Sequence, residues 1–248
     1  FDGQRDTIVQ RAVEAGVQAM VTVGTTAASS QKCLQLARQY EPLQAAVGIQ
    51  PNYCAEAGEE DWDRVVLLAS EPGVVAIGET GLDRFRDYAP FELQQDYFDR
   101  HLRLSQQSGL PFIVHMRDSG QEILEMLREA HKRGPLRGVM HSFTGDLPLL
   151  QECLELGMFI SFAGMVTYRK SEELRSVAES VPDDRLVIET DAPWLSPHPC
   201  RGQRPNEPAL LVHTASCLAE VRKMEIAGFS ELVSSNAEQF FERRPANH

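Results

Sequence analysis

Short apolar segments alternate with longer amphipathic segments along almost the whole chain, and this alternation restricts the possible folds strongly. The apolar segments are too short for helices, so they predict buried strands. Strands are predicted at residues 19–23, 43–49, 74–78, 112–114, 138–140, 158–162 and 186–188. Helices are predicted near residues 4–15, 28–40, 59–71, 91–108, 119–133, 146–156, 171–180, 207–224 and 229–242. Such alternation is typical of a parallel sheet with helical crossovers.

Two α/β architectures accept this pattern, an open doubly wound sheet and a closed (β/α)8 TIM barrel. No Gly-x-Gly-x-x-Gly turn follows an early strand, which removes the main argument for the open, nucleotide-binding sheet. A barrel needs an eighth strand, which we expect upstream of Phe1. The sequence therefore predicts one TIM-barrel domain over residues 1–248, with its amino-terminal strand absent or truncated.

The helix predicted at residues 119–133 has the clearest local pattern. Ser119-x-x-Glu122 matches a capping box, in which the two side chains bond the first backbone N–H groups of a helix. Ile123, Leu124, Leu127 and Ala130 then follow one helical face. We expect this face to pack against the sheet.

Composition excludes several classes of protein. The 248 residues are 42% hydrophobic, enough for one substantial core. The five cysteines are odd in number and form no Cys-x-x-Cys pair, which favours a reducing cytoplasm over a disulfide framework. No apolar stretch is long enough to cross a membrane, and we expect no membrane association and no obligate protein partner. The net charge of −12 argues against wide phosphate binding, so any nucleic-acid contact should be local.

Four potential metal ligands each follow a predicted strand by a few residues at most: Glu79, His115, His141 and Asp191. Carboxyl ends of parallel strands are where sites form in α/β folds, so these side chains could converge. A single histidine after a strand is more often a hydrogen-bonded structural residue than a ligand, and a carboxylate there can cap the next segment. Four ligand-type residues at separate strand ends make a shared metal site the favoured interpretation.

Imidazole and carboxylate ligands suit zinc, manganese or magnesium, and one glutamate can bridge two ions. Such a pair of ions lowers the pKa of bound water to about 7 and stabilises an anionic transition state, as phosphodiester hydrolysis requires. Asp191 is placed to bind a metal and to accept the proton of the attacking water.

Four motifs occur in order along the chain: Gly78-Glu79-Thr80-Gly81-Leu82-Asp83, Val114-His115-Met116-Arg117-Asp118, His141-Ser142-Phe143-Thr144-Gly145 and Glu189-Thr190-Asp191-Ala192-Pro193-Trp194-Leu195. Together they resemble the signatures of the TatD-type metal-dependent deoxyribonucleases of the amidohydrolase superfamily. Arg201-Gly202, Asn206-Glu207-Pro208 and Asn236-Ala237 also fit, so the resemblance spans nearly the whole chain.

The resemblance implies a barrel that binds two divalent ions, Mg, Mn or Zn. Glu79 would bridge both ions, His115 and His141 would hold one, and Asp191 would hold the other and act as base. The family's first strand carries a His-x-His pair that completes the second site, and residues 1–248 contain no such pair. One of the two metal sites is therefore expected to be incomplete in this chain.

Substrate contacts are predicted from residue type. Arg117 follows His115 by two residues, so both side chains can face the barrel mouth, and an arginine fork matches phosphate oxygens; an ion pair with Asp118 is the competing role. Many family members carry histidine at the position of Gln50, and some carry another at or near Asn52. Glutamine and asparagine can both hydrogen-bond a phosphate or water. Arg201 could contribute to a small basic rim.

Tyr168 and Trp194 could stack on exposed bases, although aromatic residues in loops at least as often fill packing gaps. An acidic body with a narrow basic mouth suits a strand terminus better than a long duplex. The predicted function is a cytoplasmic hydrolase that cuts DNA phosphodiester bonds, as a 3′–5′ exonuclease on single strands or strand ends.

Two alternatives remain open at the level of sequence. The same metal chemistry attacks carbonyl groups, so the substrate could be an aminoacyl-tRNA ester or a lactone. Gln50, Asn52 and the absent His-x-His pair would also suit a non-catalytic barrel binding protein.

Overall fold

A computed structural model describes residues 1–242 of the chain. The strands within this range are β1 (Met20–Val23), β2 (Leu43–Val47), β3 (Val74–Asp83), β4 (Phe112–Arg117), β5 (Gly138–Met140), β6 (Phe159–Phe162) and β7 (Leu186–Ile188). Their order in the sheet is their order in the chain. The β2–β3, β3–β4, β4–β5 and β6–β7 pairings are parallel. Sequential parallel strands are the arrangement that the alternating pattern predicts.

Helices separate the strands as expected. They are α1 (Arg5–Glu14), α2 (Ala27–Gln39), α3 (Asp61–Ala69), α4 (Phe91–Ser108), α5 (Gly120–Arg133), α6 (Leu147–Glu155), α7 (Glu172–Glu179), α8 (Leu211–Val221) and α9 (Ile226–Phe241). A 3-10 helix, Pro51–Glu56, follows β2. No helix among the described residues is long and apolar enough to span a membrane.

The start of α5 differs from its prediction. The predicted apolar face is correct, since Ile123, Leu124, Leu127 and Ala130 are all buried. The capping box is wrong, because the Ser119 hydroxyl donates to the carbonyl oxygen of Leu82 at 2.9 Å and makes no cap bond. A buried serine satisfies its hydroxyl with whichever acceptor is nearest, and tertiary packing supplies a strand carbonyl here.

Contact density divides the chain into two compact units. The first unit comprises Phe1–Met20, Ser142–Gln151 and Ile160–Gln239. The second unit comprises Val21–His141, Glu152–Phe159 and the segment that begins at Phe240. The single domain over residues 1–248 stays a prediction, and residues 243–248 lie outside the described part of the chain.

Each unit has an apolar core of its own. In the second unit, Ile77, Phe98, Leu102 and Phe112 are fully buried. In the first unit, the rings of Phe143 and Phe162 pack edge to face with centroids 6.3 Å apart. Burial of large apolar side chains is the main favourable contribution to folding, so these cores hold the strand ends in place.

Candidate metal centre

The strands that carry Glu79 and His115 are longer than predicted. We predicted that they end at Gly78 and Val114, but β3 continues to Asp83 and β4 to Arg117. Gly81 lies opposite His115 in the parallel pairing. A Cβ atom on Gly81 would lie 2.0 Å from the His115 carbonyl oxygen, so glycine allows the two strands to approach closely at this position.

Three of the four predicted ligands come together in the second unit. His115 Nδ1 lies 2.8 Å from Glu79 Oε1, and His141 Nε2 lies 3.9 Å from the same oxygen. His141 follows β5 directly. The three side chains are only 15–18% exposed. A carboxylate therefore faces two imidazoles in a largely dehydrated environment.

Asp83 organises this cluster, although the sequence analysis gave it no role. Its Oδ2 accepts hydrogen bonds from His115 Nε2 at 3.0 Å and from Asn52 Nδ2 at 2.9 Å. Its Oδ1 accepts the backbone N–H groups of Phe85 and Arg86, each at 2.9 Å. A signal was present, because residues 79 and 83 lie on the same face of an extended strand by the period of two.

The charge on each group follows from these contacts. Burial lowers the pKa of His115, but hydrogen bonds to Asp83 and Glu79 outweigh this effect and raise the pKa from 6.5 to about 9. Burial raises the pKa of Asp83, but hydrogen bonds from His115 and Asn52 outweigh it and hold the pKa well below its usual range. At neutral pH, a cationic imidazole thus donates from both ring nitrogens to two carboxylates.

The donor atoms of this cluster, one carboxylate and two imidazoles, are of the types that bind divalent cations. Glu79 Oε1 is the atom that the two imidazoles share, at 2.8 Å from His115 Nδ1 and 3.9 Å from His141 Nε2. Asn52 Oδ1 is buried beside Asp83 without a hydrogen-bond partner in the described part of the chain, so an acceptor is available for a further ligand. Within residues 1–242, no group of three or more His, Cys, Asp or Glu side chains is already arranged as a metal site.

A metal-bound histidine usually donates its other ring N–H to a carboxylate, and Asp83 stands at that position for His115. By residue type, Glu79, His115 and His141 are therefore the side chains in this cluster that could hold a divalent ion.

The predicted substrate residues of the second unit have different environments. Gln50 is 7% exposed, and its Oε1 caps the 3-10 helix by accepting the Asn52 N–H at 2.9 Å. Arg117 is exposed and forms no ion pair with Asp118; its Cζ lies 3.8 Å from the centroid of the Phe85 ring. The substrate roles of these residues stay predictions.

The remaining predicted residues belong to the first unit. Asp191 follows β7, and its carbonyl oxygen accepts the N–H of Trp194 at 2.7 Å. The guanidinium of Arg201 lies 4.2 Å from the centroid of the Tyr168 ring. Trp194 is 71% exposed. The convergence of Asp191 with the cluster around Glu79 stays a prediction, as do the roles of the others.

Known proteins resemble this chain over almost its whole length. The model of the family "TatD related DNase" matches residues 1–242. A protein described as a 3′-5′ ssDNA/RNA exonuclease TatD, from Erwinia tasmaniensis, is 35% identical over 246 residues, which cover 97% of this chain and 95% of the relative. An uncharacterized metal-dependent hydrolase, YabD from Bacillus subtilis, is 32% identical over 241 residues, covering 97% and 94%.

Solved structures confirm the predicted fold class, an α/β barrel of the metal-dependent hydrolase type. The TatD homolog YJJV from Escherichia coli K12 superposes with a TM-score of 0.90 at 30% identity, covering 97% of this chain and 93% of that chain. A lactonase from Deinococcus radiodurans gives a TM-score of 0.65 at 16% identity, covering 95% and 85%, and shows the fold alone. From the full-length family match and these relatives, we conclude that the chain belongs to the TatD-related DNase family of metal-dependent hydrolases.

Proposed function

We propose that this protein is a divalent-metal-dependent nuclease that removes nucleotides from the 3′ end of single-stranded DNA or of strand ends. The observation that carries the proposal is the contact of Glu79 on β3 with both His115 on β4 and His141, which directly follows β5. Family membership supports the reaction class, and the name of the Erwinia tasmaniensis relative supports the substrate.

The proposed roles follow from residue chemistry. Glu79, His115 and His141 would hold one divalent ion, and Glu79 with Asp191 would hold a second. Bound divalent ions supply Lewis acidity and lower the pKa of water, which are the two requirements of phosphodiester hydrolysis. Asp83 fixes the ring of His115, since it is 2% exposed and bonded to Nε2. Asp191 would accept the proton of the attacking water.

Phosphate binding is assigned to the exposed arginine beside the cluster. Arg117 follows His115 on β4 and has its guanidinium edge available, because it stacks on Phe85 instead of pairing with a carboxylate. Guanidinium forks bind phosphate oxygens in pairs. The proposal places the enzyme in a reducing cytoplasm, in agreement with five cysteines that are all free.

The test is digestion of a single-stranded oligonucleotide labelled at its 5′ end, with Mg²⁺ or Mn²⁺ and with EDTA. We expect a ladder of labelled products that shortens from the 3′ end and requires the metal. A phosphorothioate linkage at the 3′ terminus should block the ladder, whereas the same linkage at the 5′ terminus should not. A duplex with blunt ends should be digested more slowly than a single strand.

Matched variants separate the proposed site from the surface. Glu79→Gln and His115→Ala should lower the rate by at least about a hundredfold, since removal of an indirect partner of a metal ligand alone costs roughly 10–100-fold. The controls Glu125→Gln and His131→Ala change the same residue types at exposed positions of α5 and should retain the parent rate. Full activity of Glu79→Gln, or digestion that persists in EDTA, would refute the proposal.

A further inference from the structure

Two large aromatic side chains are exposed in the loop that follows β3. Phe85 is 54% exposed and Tyr88 is 61% exposed, although apolar rings of this size are usually buried when they only fill space. Both lie in the second unit, directly after Asp83. We call residues 85–88 the Phe85–Tyr88 loop. Two exposed rings in one short loop, which is hydrogen-bonded to Asp83, make this loop a candidate binding surface.

Arginines surround these rings. The guanidinium of Arg117 covers one face of Phe85, with Cζ 3.8 Å from the ring centroid. Arg86 Cζ lies 5.2 Å from the centroid of Phe85 and 5.6 Å from that of Tyr88. Arg84 is paired with Glu122 at 2.6 Å, whereas no ion pair joins Arg86 or Arg117 to a carboxylate among residues 1–242. Two positive charges are thus available to an anionic ligand in a protein of net charge −12.

The loop is attached to the cluster that holds the metal-ligand residues. Asp83 Oδ1 accepts the N–H groups of Phe85 and Arg86, while Oδ2 of the same carboxylate contacts His115. The backbone N–H of Arg84 donates to the Arg117 carbonyl oxygen at 2.9 Å. These bonds fix the start of the loop beside the proposed reaction centre, so the rings need little ordering when a ligand binds.

We infer that Phe85 and Tyr88, with Arg86 and Arg117, form a platform on which unpaired bases of a single-stranded nucleic acid stack. Every base has a π face, so aromatic rings bind single strands with little sequence preference. Bases within a duplex are already stacked on one another and cannot use such a platform. The inference rests on the proposed function and adds the part of the surface that selects single strands.

Base stacking, more than charge, should dominate binding at this surface. Asp87 lies within the loop and Asp118 follows Arg117, and both are exposed carboxylates that offset part of the attraction for phosphate. A strand that keeps its phosphates but lacks its bases should therefore bind the platform weakly. This contrast gives the inference a direct test.

The experiment measures the fluorescence anisotropy of two labelled probes in EDTA, where no cleavage occurs. One probe is a thymidine decamer and the other is a decamer of abasic deoxyribose phosphates. We expect the parent protein to bind the thymidine decamer more tightly. Phe85→Leu and Tyr88→Leu should each weaken that binding by about fivefold or more. Fivefold corresponds to about 1 kcal/mol, the lower end of the free energy that one base contributes by stacking on an aromatic ring. Binding of the abasic decamer should not change.

The control variant is Leu67→Ala, which removes a side chain that is 70% exposed elsewhere in the second unit. It should change the affinity for neither probe. Unchanged thermal unfolding temperatures would show that the variants fold. Equal weakening for both probes, or none for the thymidine decamer, would overturn the platform. Because the binding assay requires no turnover, its result is independent of the digestion assay. If the protein digests DNA but the substitutions leave binding of the thymidine decamer unchanged, the platform is disproved and the proposed nuclease function is not.

Discussion

Replacement of Asp83 tests whether one buried carboxylate organises the cluster. Asp83 is 2% exposed and accepts four hydrogen bonds, from the N–H groups of Phe85 and Arg86 and from the side chains of Asn52 and His115. Asp83→Ala leaves all four donors without this acceptor. Water can reach the two donors in the exposed loop, but the two side-chain donors are largely buried, and each lost partner costs about 1–3 kcal/mol. We expect a loss of about 3–5 kcal/mol in the free energy of unfolding.

The assay is urea unfolding near pH 7, followed by intrinsic fluorescence and by circular dichroism. Asp83→Asn should lose less stability than Asp83→Ala. The amide oxygen can still accept from the backbone N–H groups of the loop, whereas the amide NH₂ would face the side-chain donors of Asn52 and His115. The matched control is Asp87→Ala, an exposed aspartate in the same loop, which should change the free energy by less than about 0.5 kcal/mol. A loss below about 1 kcal/mol for Asp83→Ala would refute the reasoning.

Three further substitutions address buried positions. Burial lowers the pKa of His101 from 6.5 to about 4, so its contribution to stability is complete above about pH 6.5 and is lost as the pH falls toward 4. This contribution to the free energy of unfolding is about 3 kcal/mol. Urea unfolding at about pH 7 and about pH 4.5 should show that the parent loses more stability between the two pH values than His101→Phe does. Equal losses in the two proteins would contradict this prediction. Gly81→Ala places a Cβ atom 2.0 Å from the His115 carbonyl oxygen, at a residue whose φ is +131°. Thermal unfolding should show that the free energy of unfolding falls by at least about 2 kcal/mol. Asn236→Ala removes the hydrogen bond, 2.8 Å long, that Nδ2 donates to the Leu186 carbonyl oxygen. Urea unfolding should show that the free energy of unfolding falls by about 1–3 kcal/mol. An unchanged free energy of unfolding would exclude this role.

The fold class was predictable from sequence because its signal is local. Each short apolar segment and each amphipathic segment reports its own secondary structure, and their alternation restricts the connections between strands. The predicted strands at residues 138–140 and 186–188 have the bounds of β5 and β7, and α4 has the predicted bounds. The errors occurred where neighbours decide the outcome. β3 extends past Gly78 because Gly81 lets β4 approach, and Ser119 bonds a strand carbonyl instead of capping α5.

The sequence also determined the types of ligand in the candidate site, since imidazole and carboxylate groups at strand ends are visible as residues. It could not determine which atoms meet. That His115 lies between Glu79 and Asp83, and that Asp83 also holds the Phe85–Tyr88 loop, depends on the register of β3 against β4. A shift of one residue would turn every side chain of a strand to its opposite face, and only packing of the whole sheet selects the register. Residue chemistry is written in the chain, whereas distances between residues far apart in sequence exist only after the strands have paired.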